Sequence, residues 1–145
     1  MNKSFKLGID WHGVLDAVPE IISFLAKAVI AQGGEVHIIT GMTWTPLCID
    51  KLKELDIPFT HSFSIFDYHR EIGTEIIGHH VKFNIPKIDD DVWDRTKGDY
   101  CRDHEITLHI DDTQIYNNNF TTPFARLWTH NNAPKGEHKD NRHLN

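Results

Sequence analysis

Apolar and polar positions along this chain switch between two rhythms. "FKLGID" is a short apolar run of strand length that ends on the acid Asp10. "PEIISFLAKAVIAQGG" follows with Ile21, Leu25 and Val29 at i, i+4 and i+8, Pro19 in the first turn and Gly33-Gly34 as the stop, which predicts a helix. "EVHIIT" is rich in β-branched residues and reads as a second strand. "TPLCIDKLKEL" reads as a second helix, with Thr45 as N-cap, Pro46 at N1 and Leu47, Leu52 and Leu55 as its inner face. "THSFSI" is a third strand. From about 66 to 88, "FDYHREIGTEIIGHHVKFNIPKI" keeps no period and reads as an inserted loop or hairpin. "DDDVWDRTKGDYCRDH" predicts a helix with acids at its positive end, where they are favoured, and Gly98 inside it costs ~1 kcal/mol relative to alanine. "ITLHID" is a strand running into Asp111-Asp112, and "ARLWT" a weak final one.

Strands alternating with helices imply an α/β fold: a doubly wound, mostly parallel sheet with helices on both faces and right-handed crossovers. One domain is expected over 1–130, with a lid-like insertion at 66–88 and a polar, poorly ordered tail at 131–145. In such sheets ligands gather at the carboxyl ends of the strands. Asp10, Thr40 and Asp111 each close a predicted strand, so three polar groups distant in sequence should meet on one rim.

Composition narrows the ligand. The 145 residues carry 21 acids against 15 bases, a net charge of −6, so the whole-molecule field offers nothing to nucleic acid. Eleven histidines are many for this length, and His130, His138 and His143 belong to the polar C-terminal stretch, where they read as solvated. Cys48 and Cys101 fall in predicted helices without framework spacing and read as reduced thiols. The lysines near the N-terminus precede no apolar h-region, and no apolar run approaches membrane-spanning length, so a cytoplasmic protein without membrane partners is expected.

Two carboxylates at one sheet edge repel unless a cation sits between them. Asp10 and Asp111, with Asp112 adjacent, form a hard-oxygen set suited to Mg²⁺, which keeps water and phosphate oxygens as its other ligands. Thr40, followed by Gly41, offers a hydroxyl and nearby N–H groups to an anion, and Lys97 a compensating charge. Carboxylate, divalent ion, hydroxyl and ammonium around one point describe a phosphoryl-transfer site. Asp89-Asp90-Asp91 lacks the alternating spacing and glycine of a calcium loop and reads as a helix start; Asp16 reads as a turn or helix-start residue, and His79-His80 as surface.

At these residues the chain resembles the haloacid dehalogenase-like (HAD) superfamily, as a small phosphatase-type member with a reduced cap. "GIDWHGVLD" resembles its first motif, "VHIITG" its second, Lys97 in "RTKGDYC" its third and "LHIDDT" its fourth, in the right order from Phe5 to Thr113. The resemblance implies a magnesium-dependent phosphohydrolase that cleaves a phosphate monoester through a phosphoaspartate. Asp10 would attack phosphorus. Mg²⁺ would be held by the Asp10 side chain, the main-chain carbonyl of His12 and Asp111, with Asp112 reaching it directly or through water. Thr40 would bond a phosphoryl oxygen, and Lys97 would offset the charge; Lys82 or Lys87 could fill that role instead.

His12 is the departure. At its position the family's phosphatases carry an Asp that protonates the leaving group and then activates water. An imidazole can do both, since it titrates near ~6.5. The alternative is that the substitution leaves an attenuated protein that binds Mg²⁺ and a phosphorylated ligand. The insertion is too short for a full cap but long enough for a lid, with Tyr68, His69, Arg70 and Lys82 as candidate substrate contacts. An open site suits a small phosphorylated substrate of the nucleotide or sugar phosphate class and also admits a phosphorylated macromolecule. A two-component receiver domain combines similar residues, but its acid pair follows the first strand, whereas here it comes late.

Overall fold

A computed structural model describes residues 3–82 and 84–129. The expected tail at 131–145, with His130, His138 and His143, lies outside the described residues. The elements run β1 (Lys6–Ile9), an irregular turn (Trp11–Leu15), α1 (Pro19–Ala31), β2 (Glu35–Thr40), α2 (Pro46–Glu54), β3 (His61–Ser64), α3 (Ile65–Ile72), β4 (Gly78–His80), β5 (Ile85–Lys87), α4 (Asp90–Asp103), β6 (Leu108–Asp111), a 3-10 turn (Gln114–Asn119) and β7 (Phe124–Arg126).

Five of the strands form one parallel sheet in the order β3-β2-β1-β6-β7. Chain direction explains the site. From β1 the chain builds outward through β2 and β3, then returns to place β6 on the other side of β1. The order therefore reverses between β1 and β6, and a crevice opens at the carboxyl ends of those two strands. Asp10 follows one and Asp111 ends the other.

The sheet is covered on both faces. Val36 and Ile38 of β2 belong to a core with Leu7, Ile9, Ile22 and Ala26 of α1 and Leu52 of α2. Ile39, the next residue of β2, packs instead with Tyr100 and Cys101 of α4 and with Ile106. Successive strand residues point to opposite faces, so α1 and α2 lie on one side and α4 on the other. The sheet is thus α/β and parallel, as its sequence pattern implies. Among the described residues no helix is long and apolar enough to cross a membrane.

Three local expectations change. The inner face of α1 is Ile22 and Ala26 with Leu25 and Val29 against it, while Ile21 is 55% exposed. In α2, Leu52 is buried and Leu47 turns outward. The inserted stretch is more regular than its lack of period suggests: α3 precedes the antiparallel hairpin β4-β5. Ser64 caps α3 by accepting the Asp67 N–H at 3.0 Å, and Gly73 at φ 74° ends it in the left-handed region that glycine tolerates. Asp89-Asp90-Asp91 is a helix start, as read: the Asp89 carboxylate accepts the N–H groups of Asp91 and Val92. Cys48 and Cys101 are both free and buried.

Candidate active site

Register brings the two strand-end acids together. Ile9 pairs with Ile110, and the Asp10 N–H donates to the Ile110 carbonyl at 3.0 Å, so Asp10 and Asp111 stand side by side on the same face. Both are buried, and between them sits the ammonium of Lys97. Its Nζ lies 2.8 Å from Asp10 Oδ1 and 2.9 Å from Asp111 Oδ2. Lys97 is itself 2% exposed and reaches inward from the middle of α4. Lys82 lies in the turn of the β4-β5 hairpin and Lys87 in β5, so among the three candidate lysines it is Lys97 that the fold carries to the acids.

Asp111 is saturated. Its Oδ1 accepts the N–H of Asp112 at 2.9 Å and of Thr113 at 3.4 Å; its Oδ2 takes Lys97 and, at 2.9 Å, Nε2 of His109. His109 is a functional candidate that motif reasoning did not single out. It sits two residues before Asp111 in β6, so strand alternation puts both side chains on one face. Tyr116 is a second such residue: Lys97 Nζ lies 4.7 Å from its ring centroid.

The third acid is held by the turn after β1. His12 at φ −72°, ψ 128° and Gly13 at φ 79°, ψ 0° are the central pair of a type II turn, whose third position requires glycine. A Cβ on Gly13 would lie 2.0 Å from Asp112 Oδ2, so the missing side chain is also the space into which that carboxylate fits. Carboxylate oxygens of Asp10, Asp111 and Asp112 lie within 4.8 Å of one another.

Charge is unbalanced here. Burial drives the Asp10 carboxyl well above its ordinary range, although Lys97 pulls it back. Burial also acts on Asp111, but the Lys97 ammonium and the His109 hydrogen bond outweigh it and hold that carboxyl low. Burial and the Asp111 charge push Asp112 up to about 6. Burial disfavours the Lys97 charge, yet the two carboxylates hold it protonated, and burial keeps His109 toward its neutral form. Three carboxyls facing one ammonium cannot all ionise without a further cation. The donor set fits a hard divalent ion.

Thr40 ends β2 next to β1, and is fully buried. Its Oγ1 accepts the Met42 N–H at 3.2 Å, which leaves the hydroxyl hydrogen to donate. Trp93, one turn before Lys97, packs on the adjoining Gly41, where a Cβ would meet its ring at 2.9 Å. Trp11 is buried edge-on to Trp44 at 6.1 Å, a packing role.

His12 stands apart from the buried group. Its side chain is exposed, and Nδ1 lies 3.3 Å from Asp16 Oδ2, while Asp16 Oδ1 accepts the Gly13 N–H at 2.7 Å. Asp16 is thus the turn residue it was expected to be, and touches the imidazole besides. The lid candidates are placed differently from expectation. His69 is buried, bonded to Thr74 and Thr96 at 2.7 Å each, and Arg70 pairs with Asp67. Tyr68 and His69 line a groove of about 470 Å³ with Thr96, Asp99 and Tyr100 of α4. None of the three acids lines that groove. α3 does approach the site at its start, where Asp67 Oδ2 accepts the Trp44 N–H at 2.8 Å.

No family model matches the chain, and it has no significant match among curated proteins or solved structures.

Proposed function

We propose that this protein is a magnesium-dependent phosphohydrolase of the HAD-like type, cleaving a phosphate monoester through a phosphoaspartate on Asp10. The observation that carries the reading is the buried Asp10–Lys97–Asp111 bridge at the switch point of the sheet, with Asp112 alongside. Parts from both ends of the described chain converge there, and each has a role in phosphoryl transfer.

Mg²⁺ would be held by Asp10, the His12 carbonyl and Asp111, with Asp112 directly or through water, and would supply neutralisation of phosphoryl charge. Drawing on Asp111 exchanges one of its four hydrogen bonds for the ion. Asp10 attacks phosphorus with a carboxylate oxygen while the ester oxygen departs and takes a proton from His12. His12 then removes a proton from water, which attacks the phosphoaspartate, breaks the P–O bond to Asp10 and releases inorganic phosphate. Lys97, together with the divalent ion, would offset the burial that favours the neutral Asp10 carboxyl and so present its ionised form to the substrate. Thr40 donates its hydroxyl hydrogen to a phosphoryl oxygen.

One observation favours a second reading, a catalytically attenuated relative that binds Mg²⁺ and a phosphorylated ligand. The exposed His12 ring contacts Asp16 at the surface, while the buried acids are linked by Lys97. Incubation with a generic aryl phosphate and Mg²⁺ tests the leading reading. Turnover that needs the ion and falls by about a thousandfold or more in Asp10→Asn is expected, since the nucleophile is lost. Turnover indifferent to Asp10→Asn refutes it.

A further inference from the structure

A second cluster of metal-ligating side chains lies at the other end of the sheet. Glu35 opens β2 and Thr40 closes it, so about 16 Å of strand separates the two ends. Glu35 and His37 are two residues apart and share a face. His61 is the in-register partner of His37 on β3, and so shares that face too. Glu35 Oε1 lies 2.8 Å from His37 Nε2 and 3.8 Å from His61 Nδ1. One donor atom from each of the three lies within 4.8 Å of the others.

We propose that Glu35, His37 and His61 form a metal centre for a divalent transition ion of the zinc class. The chemistry of the donors separates this cluster from the acids at the opposite rim. Carboxylates alone suit Mg²⁺, whereas imidazole nitrogens select zinc and its neighbours. Two imidazoles and one carboxylate also leave a fourth tetrahedral position for water or another ligand.

The surroundings suit ligation. His37 is 1% exposed, and the Tyr100 hydroxyl lies 2.7 Å from its Nδ1, which fixes the ring with Nε2 toward Glu35. A partner on the second nitrogen is the usual support of a metal-bound histidine. Thr60 Oγ1 bonds both the N–H and the carbonyl of Val36 and lies 2.8 Å from His61 Nδ1, a hydrogen bond that this nitrogen gives up when it turns to the ion. Two adjacent strands carry all three ligands, so the site is built on rigid elements. A carboxylate–imidazole hydrogen bond would by itself account for Glu35 and His37. It does not account for His61, which the register delivers to the same oxygen. The two rings lie parallel at 5° with centroids 4.2 Å apart, and both lone pairs meet one ion only if they tilt. His61, half exposed, is the ring able to do so.

Bound metal would also tie the sheet to α4. Tyr100, which supports His37, lies one helical turn after Lys97. The proposal stands independently of the phosphohydrolase reading. Its test is calorimetric titration of the metal-stripped full chain with Zn²⁺, in excess Mg²⁺ so that the acid cluster is already supplied. Histidines elsewhere add their own uptake, so the readout is the equivalent that specific variants remove. Wild type is expected to bind one equivalent that His61→Ala and Glu35→Gln lose or hold about tenfold or more weakly, with circular dichroism unchanged. Tyr100→Phe should keep the stoichiometry and weaken affinity by about tenfold. Identical isotherms for wild type and His61→Ala overturn the proposal, as does the absence of Zn²⁺ uptake by wild type at micromolar concentrations.

Discussion

Asp16 holds His12 from one side and the His12–Gly13 turn from the other, one oxygen 3.3 Å from Nδ1 and the other accepting the Gly13 N–H at 2.7 Å. A carboxylate beside Nδ1 favours the tautomer with the proton there, which under the proposed mechanism makes Nε2 the nitrogen that exchanges protons with substrate and water. Asp16→Asn retains an acceptor for Gly13 but presents an amide to the ring, which favours the opposite tautomer. Under the proposed hydrolase mechanism, kcat should fall by about ten- to a hundredfold with KM little changed and the fold intact. Steady-state kinetics on an aryl phosphate measure it; an unchanged kcat means that His12 works without this carboxylate.

His12→Asp separates the two functional readings. If His12 handles the proton, replacing it with a shorter acid alters the distance to the leaving group, and activity should fall. If the histidine silenced an ancestral site, the same change should create Mg²⁺-dependent turnover. The comparison requires both proteins over a range of pH, because the proton-transfer group differs between them.

Lys97 makes a prediction about stability that needs no substrate. Its buried ammonium bridges two buried carboxyls, so Lys97→Met leaves the Asp111 charge buried beside Asp10 without its ammonium counterion. Loss of one partner from a buried pair costs about 3–5 kcal/mol. The acid cluster should then become the better cation site, since the competing ammonium is gone. Urea denaturation should show the variant well below wild type, and added Mg²⁺ should return more stability to the variant than to wild type. A variant destabilised equally with and without Mg²⁺ would mean that Lys97 does not compete with a divalent ion for these carboxylates, and no Mg²⁺ effect on either protein would mean that the carboxylates do not gather around one.

Much of this site was legible because its parts sit at element ends. A strand that runs from apolar residues into Asp10, Thr40 or Asp111 announces its carboxyl edge, and a parallel sheet does the rest. What stayed hidden depends on orientation. Ile21, Ile22, Leu25, Ala26 and Val29 offer more than one plausible stripe, and only packing against β2 decides that Ile22 faces inward. α3 is eight residues long, too short to display a period, though Ser64 three places before Asp67 was a readable cap. His109 carried a weaker signal: a polar residue two before a strand-end acid shares its face. His61 carried none, because its meeting with His37 is a matter of strand register, which the pattern along one strand does not encode.

His69 supplies a pH prediction. Burial, reinforced by the nearby Arg95, lowers the affinity of its ring for a proton in the folded state. Between Thr74 and Thr96 the neutral imidazole donates through one nitrogen and accepts through the other, an arrangement that protonation breaks. The unfolded chain takes up that proton near pH ~6.5, before the folded protein does. Stability contributed by the neutral ring is therefore fully present above about pH 6.5 and declines as pH falls toward the lower folded value, with a slope of at most about 1.4 kcal/mol per pH unit from this group. Urea midpoints of wild type and His69→Gln, measured from pH 7.5 to 5.5, isolate the effect. The glutamine amide can also donate and accept but does not titrate, so the gap between the two proteins should narrow as pH falls. A constant gap across that interval would show that His69 takes up no proton on unfolding.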